Sequence, residues 1–297
     1  MRGLLTLLLP SLFLAATGVA AQLIVHNDED LASDRPEAWA MNYMAASSLM
    51  TAFGQTPALR AWDWAVALDA AQIPRLSAAQ QRVGFNGTKE EDLNKSPVFG
   101  RARLFLGLPG DWVAELGYTP PLTINGVQPR DLVAVAIGRR VFESEGFTFS
   151  ARIFGQHGRA VGDVTCPARI AGVSDPHVNP YGCQAPSNDQ VTLNYYGLEL
   201  VPAWTVGNWH GYVSVGAMRT NLAVQVDAFT FDEHDRSHLV SRTTLPFTTA
   251  GLSVDLDPHW NVGLEVLYVP LNVRREPGAP TQSDPLTSAR LQLLYRF

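Results

Sequence analysis

The densest group of potential ligands is DEHDRSH, Asp232 to His238, where two histidines stand among three acids. On a helix, His234 and His238 at i,i+4 would share a face and could chelate a divalent metal. In a solvated loop the same side chains hold cations only loosely, so neither a metal site nor another cofactor is expected. Nucleophilic hydrolysis would need a serine and a histidine in mutual reach, with a polar residue orienting the imidazole. Two residues on from His157 stands Arg159, not serine; His210 lies beside Trp209; no Asn-His-Ser grouping is present. The chain is not expected to be an enzyme. Cys166 and Cys183 flank CPARIAGVSDPHVNPYGC and lack the CxxC spacing of a zinc site. In an exported chain they are expected to pair across this Pro/Gly-rich loop, a bridge worth about 3 kcal/mol in the chain-entropy account.

The remaining charges follow a pattern. Asp63, Asp69, Arg101, Arg103, Glu115, Arg140, Arg152, Glu199, Glu265, Arg290 and Arg296 all fall on one face of segments that alternate with period two. In RARLFLGL, Arg101, Arg103, Phe105 and Gly107 oppose Ala102, Leu104, Leu106 and Leu108. AWDWAVALDA, FTFSARIFG, HWNVGLEVLY and the terminal LTSARLQLLYRF read the same way, and further strands are expected over 46–54, 111–119, 131–140, 191–205, 209–224 and 243–256. The mixed charges could pair across an enclosed space and close it. Acids and arginines on opposite walls could equally set up a transverse field for a small solute.

The start of the chain supplies the compartment. MRGLLTLLLPSLFLAATGVAA has one positive charge, a short apolar run and small residues before polar sequence, which predicts a secretory signal at residues 1–21. The net charge is −6, and loss of Arg2 makes it more negative, so no broad basic surface and no nucleic-acid partner are implied. After the signal no apolar run approaches the length of a membrane helix. Connections between strands alternate short and long. Trp112, Phe147, Trp204, Trp209 and Trp260 gather at the short ones, as an aromatic girdle would at one membrane interface.

Leu291, Leu293 and Tyr295 lead by alternation to a terminal Phe297. With this ending the chain resembles Gram-negative outer-membrane β-barrel proteins over about residues 46 to 297, a likeness of class and not of subfamily. The resemblance implies an all-β, closed antiparallel up-and-down transmembrane barrel in the bacterial outer membrane. Its partners would be outer-membrane lipid and the barrel-assembly machinery, which recognises such a C-terminal strand. Asn86 and Asn94 match glycosylation acceptors only by coincidence on this reading. The segments found number about 11, whereas single-chain bacterial barrels have even counts. Twelve strands are expected, with ten as the alternative. Counted back from Phe297 at the periplasm, residues 46–54 should run downward, which requires one upward strand before Ala46. Residues 22–45 are expected to supply either that strand or a short helix with Asp34 as cap and Pro36 in the first turn, and 46–297 to form the barrel. The function implied is a narrow pore or transporter for a small solute, or else a closed structural barrel acting through its external loops; a lipid-modifying enzyme ranks last.

Overall fold

A computed structural model describes residues 23–54, 57 and 59–297; the expected signal at 1–21 lies outside these. Alternating side chains give each strand two unlike faces. The barrel strands are β1 (Trp64–Gln72), β2 (Val98–Leu108), β3 (Trp112–Tyr118), β4 (Gln128–Ser144), β5 (Phe147–Gly162), β6 (Asp189–Val206), β7 (Trp209–Gln225), β8 (Thr244–Asp255), β9 (Trp260–Val269) and β10 (Leu286–Arg296). Each pairs antiparallel with its sequence neighbour, and β10 returns to β1, so the sheet closes.

The strand number is therefore ten, the lower of the two expected values. The upward strand required before Ala46 is instead a helix, α1 (Pro36–Ser47). Residues 48–54, expected to run downward as a strand, are irregular chain. Both lie inside the barrel, where α1 is buried on almost every side. A helix enclosed all round has no polar face and so no amphipathic signature. The expected cap is also corrected. Arg35 occupies the cap position without a capping side-chain bond, its guanidinium reaching Glu29 and Glu37 instead, while Asp34 binds Arg274 and accepts from Thr281 Oγ1 at 3.0 Å.

Short turns (109–111, 145–146, 207–208, 256–259) gather at one end and long loops (73–97, 119–127, 163–188, 226–243, 270–285) at the other. Leu23–Val25 pair in parallel with Glu233–Asp235, and Asp28–Asp30 with the strand at His238–Ser241, both in the long-loop layer. From there the chain passes down through the lumen. It reaches β1 at the short-turn end, where the Trp62 N–H donates to Gly107 O at 2.8 Å. Cys166 and Cys183 are bonded, with Cα atoms 5.6 Å apart, and are buried against Val226 and Ala228.

Outside, Leu68, Leu104, Leu116, Ile153, Leu198, Leu264 and Leu291 are exposed. Trp112, Trp204, Trp209, Trp260 and Phe297 are exposed at the short-turn edge, with Phe147 half-buried beside Trp204. Phe297 stacks on Trp64 with ring centroids 3.7 Å apart. Tyr118, Tyr196 and Tyr268, which the sequence reading did not single out, are exposed on the outer wall nearer the long loops. An apolar belt between two aromatic rows, with short turns at one end, makes this an outer-membrane β-barrel with the short turns facing the periplasm. No described helix is long and apolar enough to cross a membrane.

Candidate functional site

A helix leaves its last carbonyls without partners and concentrates partial negative charge there. At the end of α1 the barrel wall supplies arginines. Arg290 donates through Nη2 to Ala46 O (3.2 Å) and through Nη1 to Leu49 O (2.7 Å). Arg101 donates to Ser48 O (2.9 Å), Arg152 to Met50 O (3.0 Å) and Arg103 to Thr51 O (3.1 Å). The Tyr195 hydroxyl donates to Ser48 O at 2.9 Å and accepts from the Met50 N–H at 3.0 Å. Residues 46–51 are thus gripped from strands β2, β5, β6 and β10. This clasp satisfies backbone groups that have no strand neighbour.

The acids hold the arginines. Arg103 joins Asp69 (3.2 Å) and Glu115, while Arg152 joins Glu115 (3.0 Å) and Glu199 (2.8 Å). Glu265 lies 3.9 Å from Arg290, accepts from Thr51 Oγ1 at 2.6 Å and from the Tyr212 hydroxyl at 3.2 Å. Asp69, Arg101, Arg103, Glu115, Arg152, Glu199, Glu265 and Arg290 are therefore brought together in the lumen. Asp63, Arg140 and Arg296 stand at the short-turn rim. Asp63 directly precedes β1, Arg140 pairs with Glu143 at 3.0 Å, and Arg296 with Asp255 at 2.9 Å. Asp255 also meets His210 Nε2 at 2.9 Å and Asn261, tying the rim together.

Gln156 and Tyr195 were not foreseen as members of the clasp. Gln156 shares the inward parity of Arg152, so alternation alone could have found it. Gly117, opposite Arg103 on β3, leaves the room that Arg101 occupies: a Cβ there would lie 2.8 Å from Arg101 Cδ.

Beside the clasp lies a cavity of about 520 Å³ between α1 and the wall from β1 to β6. Tyr43, Met44, Phe99, Leu122, Leu132 and Leu193 give it an apolar lining. Asp69 and Asp92 border it already paired, Asp69 with Arg103 and Asp92 with Lys95 at 3.0 Å. Arg101 is different. It lines the cavity, is buried, and among the described residues has no carboxylate within 4.0 Å, whereas Arg103 and Arg152 each have two and Arg290 has one. Thr119 also lines the cavity, and its buried hydroxyl has no hydrogen-bond partner among the described residues. A larger hollow of about 800 Å³, lined by Val135, Ile153 and Leu198, belongs to the lipid-facing exterior.

The DEHDRSH segment is not helical. Glu233–Asp235 form a strand, and His234 stacks on Phe229 at 4.0 Å and meets Asp227 at 2.7 Å. The i,i+4 geometry that chelation required does not form, and no ligand cluster of three occurs among the described residues.

No family model and no curated protein matches the chain. Among solved structures it is similar to the outer-membrane protease OmpT from Escherichia coli, at 6% identity over 80% of this chain and 94% of that one, TM-score 0.39. It is similar to the Pseudomonas putida toluene transporter TodX at 11% identity over 90% and 77%, TM-score 0.33. Ail, the attachment invasion locus protein of Yersinia pestis, matches at 11% identity over 80% and 99%, TM-score 0.29. Likenesses at this level describe barrel geometry and leave the role of the chain to its own residues.

Proposed function

We propose that this barrel is a binder and transporter of a small amphipathic monoanion, an apolar body carrying one carboxylate, and neither an open pore nor an enzyme. The observation that carries the reading is Arg101, a buried cation in the wall of an apolar cavity with no carboxylate within 4.0 Å and an Nε without a partner among the described residues. Burying a charge is costly unless it is paired, and a guanidinium offers a carboxylate strong charge-assisted hydrogen bonds. Thr119 Oγ1 would serve as a second polar contact. The volume of about 520 Å³ falls within the range of small-molecule sites. A water-filled pore is disfavoured because the clasped residues 46–51 occupy the lumen. On this reading the chain reaches the membrane through the barrel-assembly machinery, by way of β10 and Phe297.

The test uses purified barrel in lipid nanodiscs, titrated with a fluorescent twelve-carbon carboxylate and with its methyl ester. The carboxylate should bind at least about tenfold more tightly, and Arg101→Gln should remove that preference in protein whose heat-modifiable gel migration shows it folded. Equal binding of acid and ester, or no binding of either, would refute the reading.

A further inference from the structure

The wall beside this cavity is incomplete. Strand β3 ends at Tyr118, paired with Ala102 on one side and Val133 on the other. Its neighbours continue toward the long loops: β2 reaches back to Val98, and β4 begins at Gln128. Between Val98–Arg101 and Gln128–Leu132 there is no strand. Only the 119–127 loop spans the gap. It is tied at its base by the Thr119 N–H to Leu132 O (3.1 Å) and at its tip by Asn125 Nδ2 to Lys95 O (2.8 Å).

The cavity runs into this gap. Its lining includes Tyr43 and Met44 of the enclosed helix, but also Leu68, Val98 and Leu122, which are exposed on the outside. Unpaired strand edges are not tolerated facing hydrocarbon, and are tolerated where they line a cavity or meet the interface. The exposed Tyr118 ring, at the gap's lower edge, sets that level as an interfacial aromatic does. Gly100 stands on the outer face of the unpaired edge, and a Cβ there would meet nothing nearer than Asp69 O at 3.8 Å.

We infer that this gap is a side window through which a single-chain amphiphilic carboxylate passes between the external interface of the membrane and the cavity at Arg101. The inference rests on the binding role proposed above. An amphiphile at that interface presents its head at the level of the loops and its chain to the lipid. The route needs no displacement of the clasped lumen segment.

Two variants obstruct the window without touching the clasp. Gly100→Trp sets an indole across the mouth, and Thr123→Asp puts a like charge in the amphiphile's path at an exposed position of the 119–127 loop that does not line the cavity. Gly211→Trp is the control, since a Cβ at Gly211 meets nothing within 4 Å and Gly211 does not line the cavity. The fluorescent twelve-carbon carboxylate is first dissolved in vesicle bilayers holding the full-length barrel, and its loading rate is followed alongside affinity at equilibrium in detergent. Both window variants should load at least about tenfold more slowly with affinity within about twofold, and the control should match wild type. Heat-modifiable migration identifies folded variants. Wild-type loading rates in folded Gly100→Trp and Thr123→Asp, with binding intact, overturn the window alone. Absence of binding even to wild type overturns the proposed function and the window with it.

Discussion

At Arg152 one guanidinium meets Glu115, Glu199 and the Met50 carbonyl. Removing one member of a buried charge network leaves the others unpaired, which costs about 3–5 kcal/mol. Arg152→Met should therefore lower the temperature at which the barrel loses its compact gel migration. Arg152→Lys should recover only part of it, because an ammonium does not reproduce the fork. Outside the membrane, Asp163 is a gentler case. Burial works to raise its carboxyl, but Lys95 Nζ (2.8 Å) and the Ala168 N–H (2.7 Å) outweigh burial and hold it below the usual aspartate range. A depressed folded value means this contribution is complete above that range and is lost as pH falls through the depressed value. Proteolytic nicking near Asp163 should rise in acid below about pH 4, and Asp163→Asn should make it high and flat with pH. Most of these inward charges were legible from parity alone. What parity did not tell was their target, because it lists side chains and the arginines bind backbone.

At the level of elements, legibility follows period. The ten barrel strands and the alternation of short and long connections could be read directly, since each strand separates lipid from lumen residue by residue. The chain before β1 could not. Residues 48–54 looked like a strand because they carry apolar side chains, yet Leu49, Met50 and Phe53 are buried inside the barrel with no membrane on either side. The window was equally hidden, since it depends on β3 stopping at Tyr118 while β2 and β4 continue. Among the loops, the bridge between Cys166 and Cys183 constrains only the 163–188 segment and its contacts with Val226 and Ala228. A double Cys→Ser variant should lose about 3 kcal/mol of loop stability, seen as faster cleavage within 163–188. The barrel's heat-modifiable migration should stay unchanged. A collapse of that migration would mean the loop helps to hold the wall.

Over the whole molecule, the path of the chain couples the two ends of the barrel. Leu23–Val25 and Asp28–Asp30 are stitched into the long-loop layer, α1 follows inside, and the chain emerges at the short-turn end to begin β1. The described N-terminal residues therefore lie at the cell surface, although both β1 and the final Phe297 sit at the periplasmic rim. Because Cys166 and Cys183 are bonded to each other, a cysteine introduced at the exposed Asn27 offers a single free thiol among the described residues. A membrane-impermeant maleimide should label Asn27→Cys on intact cells. A cysteine at Gly207, in a short turn, should label only after the outer membrane is opened. The same path decides conduction. With residues 46–51 clasped across the lumen, wild-type protein in a planar bilayer should be silent. Deleting residues 23–54 removes the surface-stitched N-terminal strands, α1 and the clasped segment while leaving the ten barrel strands, and should yield discrete conductance. The arginines freed by that deletion would then line the passage, and positive walls favour anions. Anion-selective steps in the deletion variant, absent from wild type, are the expected result; conductance in wild type would mean the lumen segment is not a closure.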